Sequence, residues 1–169
     1  LAPSSPGMAR LLVTSAVAPP PPEETAVQRL QSCSSKVEAE AGSIWLLKHA
    51  VLEGQLEDVT RLLQSRANIE ARDDYNMTPL FWAAMEGHRE IVDLLLEQKA
   101  EIEARDCVCG ATPLLEAVRG GHREVVQILL EKHAEIHATD RYGCTPLSRA
   151  VVERHIEIVT LLLEKRANP

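Results

Sequence analysis

One phrase recurs three times along this chain at an almost constant interval. "TPLFWAAMEGHREIVDLLLE" begins at Thr78, "TPLLEAVRGGHREVVQILLE" at Thr112 and "TPLSRAVVERHIEIVTLLLE" at Thr145, so the period is 34 and then 33 residues. A catalytic loop normally occurs once in a sequence, whereas the sequence of a stacked structural unit recurs once for every unit in the stack. The repeat therefore predicts a stack of similar units in which each unit contacts its neighbours.

Each unit has the sequence pattern of two short helices. Thr78 is a good N-cap, and Pro79 suits the first helical position because its missing N–H would have no partner there. Gly87 then permits the chain to reverse before the second helix. The apolar positions, which recur at helical spacing, are Leu80, Ala83, Ala84, Ile91, Val92, Leu95 and Leu96. We expect both apolar faces to be buried.

The segments between helix pairs contain turn-forming residues. In the stretch "KAEIEARD" and its equivalents, the pattern predicts an extended loop or a β-hairpin-like finger. Asn76, Gly110 and Gly143 occupy equivalent turn positions, and all three tolerate positive φ. Because helices of ~10 residues with a one-sided core are unstable alone, the units must stack. We predict an all-α repeat solenoid of helix-turn-helix units joined by fingers.

A degenerate unit precedes the three clear ones. "IWLLKHAVLEGQLEDVTRLLQ" fits the helix pattern without T-P, and Ser43 is its expected N-cap. Residues 1–22 lack acidic groups and end in "PPPP", which predicts a disordered leader. Residues 23–42 are predicted to form a connector or a short helix. The predicted repeat domain covers 43–169, with repeats at about 43–72, 73–105, 106–139 and 140–169.

The repeated phrases resemble the ankyrin repeat family. "TPLFWAA", "TPLLEAV" and "TPLSRAV" are similar to its T-P-L-H-x-A signature, "EGHREIVDLLLE" is similar to its second helix, and "KAEIEARD" to its finger. The resemblance covers residues 43–169 and implies a stacked solenoid that binds partners through its concave face and its fingers.

The chain departs from the family pattern at three sets of positions. The usual His after T-P-L is replaced by Phe81, Leu115 and Ser148. The Gly that ends the family's second helix is replaced by Arg66, Lys99, His133 and Arg166, which should cost roughly 1 kcal/mol where the backbone is left-handed. Arg154 stands where Gly87 and Gly121 stand in earlier units, so strain is expected in that turn.

Several function classes are disfavoured by composition. A net charge of -7 does not suit a nucleic-acid binder, which needs clustered Lys and Arg. No apolar run approaches the ~20 residues of a membrane span. The stretch "MARLLVTSAVA" resembles a short targeting signal, although a plain cytosolic leader is the favoured interpretation. We expect a cytoplasmic protein, with the nucleus as a second possibility.

The cysteines form no C-x-x-C pair, so they are interpreted as reduced thiols in loops. A metal site is the alternative, and its candidate ligands are Cys107, Cys109, Cys144, His133 and His137. Two ligands separated by one residue chelate awkwardly, so we predict no metal and no cofactor.

No catalytic motif is present, and the recurring polar residues have a structural explanation. The sequence lacks G-x-x-x-x-G-K-[ST], G-x-G-x-x-G, H-E-x-x-H and G-x-S-x-G. His88, His122 and His155 recur with the repeat, which favours inter-repeat hydrogen bonding over general-base chemistry. Asp73, Asp106 and Asp140 recur likewise, which favours turn capping. We therefore predict that the chain is not an enzyme.

The candidate binding residues lie on the first helices, opposite the apolar stripe, and on the fingers. They are Asp74, Tyr75, Met77, Phe81, Trp82, Met85, Glu86, Leu115, Arg119, Arg141, Tyr142, Arg149 and Val152. We expect the contacts to centre on Phe81, Met85 and Tyr75, because an exposed apolar cluster with a polar rim is typical of a binding hot spot. For Trp82, packing between adjacent helices is an equal alternative.

The sequence thus predicts an adaptor or scaffold that is monomeric and binds another protein. The alternative is a targeting or regulatory domain of a longer enzyme or channel. Residues 43–169 hold 15 basic and 21 acidic groups, and Arg72, Arg105 and Arg141 lie at the fingers, so the helices should favour a basic or mixed-charge segment. The chain stops at "KRANP" within a finger, so we expect further sequence and early fraying of the last unit.

Overall fold

The computed structural model describes residues 36–165, so the predicted leader and most of the predicted connector lie outside it. This part of the chain forms eight helices arranged as four helix-turn-helix pairs. The helices are α1 (Lys36–Leu52), α2 (Leu56–Gln64), α3 (Pro79–Glu86), α4 (Arg89–Glu97), α5 (Pro113–Gly120), α6 (Arg123–Glu131), α7 (Pro146–Val152) and α8 (Ile156–Glu164). The predicted all-α repeat solenoid is confirmed.

The three T-P-L helices begin where the sequence predicts. The Thr78 hydroxyl accepts a hydrogen bond from the Phe81 N–H at 3.3 Å, and Thr112 and Thr145 cap α5 and α7 in the same way. In α7 the bond is reciprocal, because the Ser148 hydroxyl accepts from the Thr145 N–H at 2.8 Å. Each Pro follows its cap at the first helical position, where it needs no hydrogen-bond partner.

The first helix differs from its prediction. Helix α1 begins at Lys36, so Ser43 lies inside the helix and the prediction of Ser43 as an N-cap is wrong. The segment "KVEAEA" before it is rich in Ala and Glu, which are strong helix formers, and the single Gly42 does not interrupt the helix.

The three connecting segments form fingers made of turns. We name them the first finger (65–78), the second finger (98–112) and the third finger (132–145). Residues 36–165 contain no β-strand, but a pair of backbone bonds closes the first finger like a hairpin, from Asp73 N–H to Met77 O at 3.2 Å and from Asn76 N–H to Asp73 O at 2.8 Å. Asn76, Gly110 and Gly143 all have positive φ, as predicted.

The helices form two layers joined by one continuous core. The first helices of the pairs (α1, α3, α5 and α7, the inner helices) contact one another in sequence, and the second helices (α2, α4, α6 and α8, the outer helices) do the same. The inner helices pack against one another more extensively than the outer helices do. The largest fully buried aliphatic side chains are Leu47, Leu62, Leu80, Ile91, Leu95, Leu114, Leu129, Ile158 and Leu162.

Candidate functional site

The recurring histidines hold neighbouring helix pairs together. His88 Nε2 donates to Leu52 O at 3.0 Å, His122 Nε2 to Met85 O at 2.9 Å, and His155 Nε2 to Arg119 O at 3.2 Å. Because a carbonyl can only accept, the bonded Nε2 carries the proton in each ring. This confirms the predicted inter-repeat role of the three side chains.

Each histidine packs against a glycine of the preceding pair. The glycines are Gly54, Gly87 and Gly121, and all three have positive φ. A Cβ at Gly87 would lie 2.3 Å from Nδ1 of His122, which is far inside van der Waals contact. We call each such glycine–histidine contact a junction. The junctions require glycine both for the backbone conformation and for the space that the imidazole occupies.

The recurring aspartates cap the finger turns, as predicted. Asp73 Oδ1 accepts from the N–H groups of Tyr75 and Met77, each at 3.0 Å. Asp140 Oδ1 accepts from Tyr142 and Cys144, each at 2.9 Å. The longer second finger uses both Asp106 oxygens, with Ala111 N–H at 2.7 Å and Cys109 N–H at 3.3 Å. The fingers therefore have a fixed backbone conformation.

Two of these carboxyls are held in the ionised state. Burial alone would raise the pKa of Asp73, but hydrogen bonds from Lys48 and from the Met77 and Tyr75 amides outweigh it, so the pKa is lowered. Burial likewise opposes ionisation of Asp140, and its finger amides together with Arg149 lower its pKa. Each turn thus gains stability from a charged acceptor.

The expectation that Phe81, Trp82 and Leu115 are exposed is wrong. Phe81 is 1% exposed and Leu115 is 2% exposed, and they form one buried cluster with Ala111 of the second finger. Trp82 is fully buried in the main core, which agrees with the packing alternative. The physical reason is that the second finger and helix α5 cover the side of α3 that a single helix would leave to solvent.

The remaining candidates divide into exposed and half-buried side chains. Met77, Met85 and Arg149 are half-buried. The exposed candidates are Asp74, Tyr75, Glu86, Arg119, Arg141, Tyr142 and Val152. The exposed aromatic residues therefore lie not on helix α3 but on the fingers, where Tyr75 is 56% exposed and Tyr142 is 77% exposed, and on α1, where Trp45 is 53% exposed.

Ion pairs tie two of the inner helices to the fingers. Lys48 Nζ lies 2.6 Å from Asp73 Oδ2, and it also lies 5.2 Å from the centre of the Trp82 ring. Arg149 Nη2 lies 2.8 Å from Asp140 Oδ2, and Arg119 pairs with the buried Glu116 on the same helix. The hydrogen bond from Arg119 to Glu116 raises the pKa of Arg119. The sequence reasoning missed Lys48, although Lys48 stands at the position equivalent to Phe81 in the first pair.

Arginines and backbone bonds join each finger to the next. Arg105 Nη1 donates to Gly110 O at 2.8 Å and to Thr139 O at 2.7 Å, so it bridges the second and third fingers. Arg141 Nη1 donates to Cys107 O at 2.8 Å and to Val108 O at 3.3 Å. The Cys107 N–H donates to Tyr75 O at 2.9 Å and joins the first finger to the second, so the fingers form one connected edge of the solenoid.

The cysteines and histidines of the fingers do not form a metal site in the described part of the chain. Cys107, Cys109 and Cys144 are free thiols, and residues 36–165 contain no group of three or more His, Cys, Asp or Glu side chains placed to hold a metal ion. Burial raises the pKa of the Cys109 thiol, and the neighbouring Asp106 carboxylate adds to this effect. Within the same residues, no helix is both long and apolar enough to span a membrane.

The comparison with protein families agrees with this architecture. A family model described as ankyrin repeats, with three copies, matches residues 23–106 and 100–169. No curated protein matches the chain.

Proposed function

Because the chain belongs to the ankyrin repeat family, whose repeats generally mediate binding between proteins, we propose that it is an adaptor or scaffold that binds another protein. The proposed binding surface consists of the exposed side of the inner helices and the three fingers. Family members are typically non-catalytic, and the polar residues that recur in this chain are engaged in turns and junctions.

The observation that carries this proposal is the exposure of two tyrosines on rigid turns. Tyr75 and Tyr142 project from fingers whose backbones are fixed by Asp73 and Asp140. Neither ring contributes to the buried core. Tyrosine is enriched in binding hot spots, because it offers a large amphipathic contact area at a low cost in side-chain entropy. The expected centre of the contact therefore moves from Phe81 to these two side chains.

The inner helices supply a second, more polar part of the surface. Met85 is half-buried beside the exposed Glu86, and Val152 is exposed on α7. Arg119 is exposed on α5 and held by Glu116. A half-buried apolar side chain with charged neighbours is typical of the region around a hot spot. We propose that a basic or mixed-charge segment of the partner lies along these helices, as the acidic net charge of the repeats favours.

The test begins with proteins retained by the immobilised full chain, of which the most strongly retained is purified and its affinity measured by calorimetry. The double variant Tyr75→Ser/Tyr142→Ser should weaken binding about tenfold or more, as expected for hot-spot aromatics. The variant Met85→Ser/Glu86→Lys should weaken it less. Ile156→Arg is the matched control, because Ile156 is exposed on α8, where the equivalent residues are Arg89 and Arg123.

Two results decide the proposal. Loss of affinity in either double variant, with Ile156→Arg unchanged, supports it. An affinity that neither double variant changes would place the partner elsewhere on the molecule and overturn it.

A further inference from the structure

The fingers present a row of exposed apolar side chains at equivalent positions. Tyr75, Val108 and Tyr142 each follow the capping aspartate of their finger by two residues, and their side chains are 56%, 57% and 77% exposed. We call these three residues the fingertip row. Apolar side chains that recur at the most exposed point of three rigid turns have no packing role there, and contiguous exposed apolar surface marks interaction sites.

The fingertip row is continuous, because neighbouring fingers are hydrogen bonded to each other. The Cys107 N–H donates to Tyr75 O at 2.9 Å, and the Arg141 N–H donates to Cys109 O at 2.8 Å. The three tips therefore keep a fixed spacing. Neighbouring helices pack about 8–10 Å apart, so adjacent tips are separated by roughly 8–10 Å, or about three residues of an extended chain.

Charge changes sign along this row. The residue before each tip is Asp74 in the first finger, Cys107 in the second and Arg141 in the third. Within residues 36–165, neither the Asp74 carboxylate nor the Arg141 guanidinium is in an ion pair. Arg141 donates to neutral carbonyls, and so does Arg105, which reaches the third finger. Because these bonds place the Arg141 guanidinium against the second finger, the row is acidic at its first tip and basic at its second.

From this arrangement we propose that the fingertip row binds an extended segment of another protein in which a basic and an acidic side chain lie about three residues apart. Apolar side chains of the segment contact the tyrosines and Val108. The basic side chain lies against Asp74, and the acidic side chain lies against the Arg141 guanidinium at the second finger. A segment with two charges of the same sign at these positions places one of them against a like charge, which weakens its binding. This inference rests on the proposed function and specifies the partner.

The test uses the full chain and synthetic seven-residue peptides with blocked ends that differ only at two positions three residues apart. One peptide carries lysine and glutamate at these positions, one carries two lysines, and one carries two glutamates. Fluorescence anisotropy at low salt should show that the mixed-charge peptide binds about two- to fivefold more tightly than either of the others, as expected for exposed ion pairs. Tyr75→Ser/Tyr142→Ser should weaken all three, whereas Ile156→Arg should weaken none.

Charge reversal at Asp74 supplies the decisive comparison, because Asp74 is exposed and its carboxylate is in no ion pair within residues 36–165. Asp74→Lys should shift the preference to the peptide with two glutamates. Equal affinity of the wild-type chain for all three peptides, or no detectable binding of any, would overturn the inference. The proposed function would then still be decided by its own test on the partner protein, through Met85→Ser/Glu86→Lys.

Discussion

At the junction between the second and third helix pairs, the ring of His122 lies against Gly87, and an added Cβ would have no room. At the tip of the third finger, by contrast, the Tyr142 side chain is 77% exposed and contributes nothing to the core. The junctions repeat the same two residue types, whereas the tips carry Tyr, Val and Tyr. The difference indicates that junctions are fixed by packing, which leaves the tips free to vary for binding.

The fourth helix pair is a natural exception to the junction rule. Arg154 replaces the glycine and adopts φ 63°, a left-handed conformation that costs a non-glycine residue free energy. Val151 is 58% exposed, although the equivalent Ala84 and Val118 are fully buried. Within residues 36–165, α7 and α8 pack on α5, α6 and each other, so this pair is covered by neighbours on one side. Whether a residue at this position of a helix pair is buried therefore depends on whether another helix pair packs against it.

The largest expected effect comes from filling a junction. Gly87→Ala should lower the free energy of unfolding by about 2–4 kcal/mol, because the new Cβ is strained at φ 79° and displaces the His122 ring. Gly143→Ala is the matched control, since Gly143 has φ 76° but nothing within 4 Å of an added Cβ. It should cost only the backbone strain, about 1 kcal/mol. Equal losses in urea denaturation would contradict the junction account.

Acid should weaken the finger turns. The pKa values of Asp73 and Asp140 are lowered below 3.8, so their contribution to stability is complete above about pH 3.8 and is lost as the pH falls through the folded-state values. The free energy of unfolding should therefore decrease below about pH 3.8, and this decrease should be smaller than the one that Gly87→Ala causes. Asp73→Asn/Asp140→Asn should flatten this part of the profile. An unchanged acid profile in that variant would contradict the assignment.

The sequence was sufficient to predict those structural features that depend on residues close together along the chain. The Thr78 cap, the positive φ of Asn76 and the capping role of Asp140 depend on residues within a few positions along the chain. The fold followed from the repeat period and the helical spacing. The bonds of the histidines cross between repeats, but their recurrence at the repeat period made them predictable.

Sequence reasoning failed where a neighbouring unit covers a helix. A helical projection of α3 gives one buried face, but Pro79 and all five residues that follow it are buried, because finger and helix contacts enclose the rest. The exposure of Phe81 was therefore predicted wrongly. The contact of Lys48 with Asp73 spans 25 residues and depends on how two pairs are rotated relative to each other, which local pattern does not specify.

Removing a junction histidine should have a smaller effect than filling the glycine site. His122→Ala should cost about 1–2 kcal/mol, because Met85 O loses a partner in a half-buried environment. His155→Ala should cost less, since its bond to Arg119 O is longer, at 3.2 Å, and more exposed. Thermal unfolding of both variants in parallel checks the order. A larger loss for His155→Ala would show that the fourth pair depends on its junction more than the geometry indicates.

Restoring glycine in the fourth pair should give a small gain. Arg154→Gly should raise the free energy of unfolding by about 0.5–1 kcal/mol, because it relieves the left-handed strain. Arg154→Ala separates this effect from loss of the charge, because alanine keeps the Cβ at positive φ and should give no gain. Hydrogen exchange should show increased protection of residues 145–165 in the glycine variant only. Equal gains in both variants would assign the effect to charge.

The separation of stability from binding is tested most directly by comparing two variants in two assays. Tyr75→Ser/Tyr142→Ser should stay within about 0.5 kcal/mol of the wild-type unfolding free energy, as surface substitutions do, and lose about tenfold in affinity for the mixed-charge peptide. Gly87→Ala should lose about 2–4 kcal/mol and, where it remains folded, bind the peptide as the wild type does. Parallel changes in stability and affinity in both variants would contradict the account.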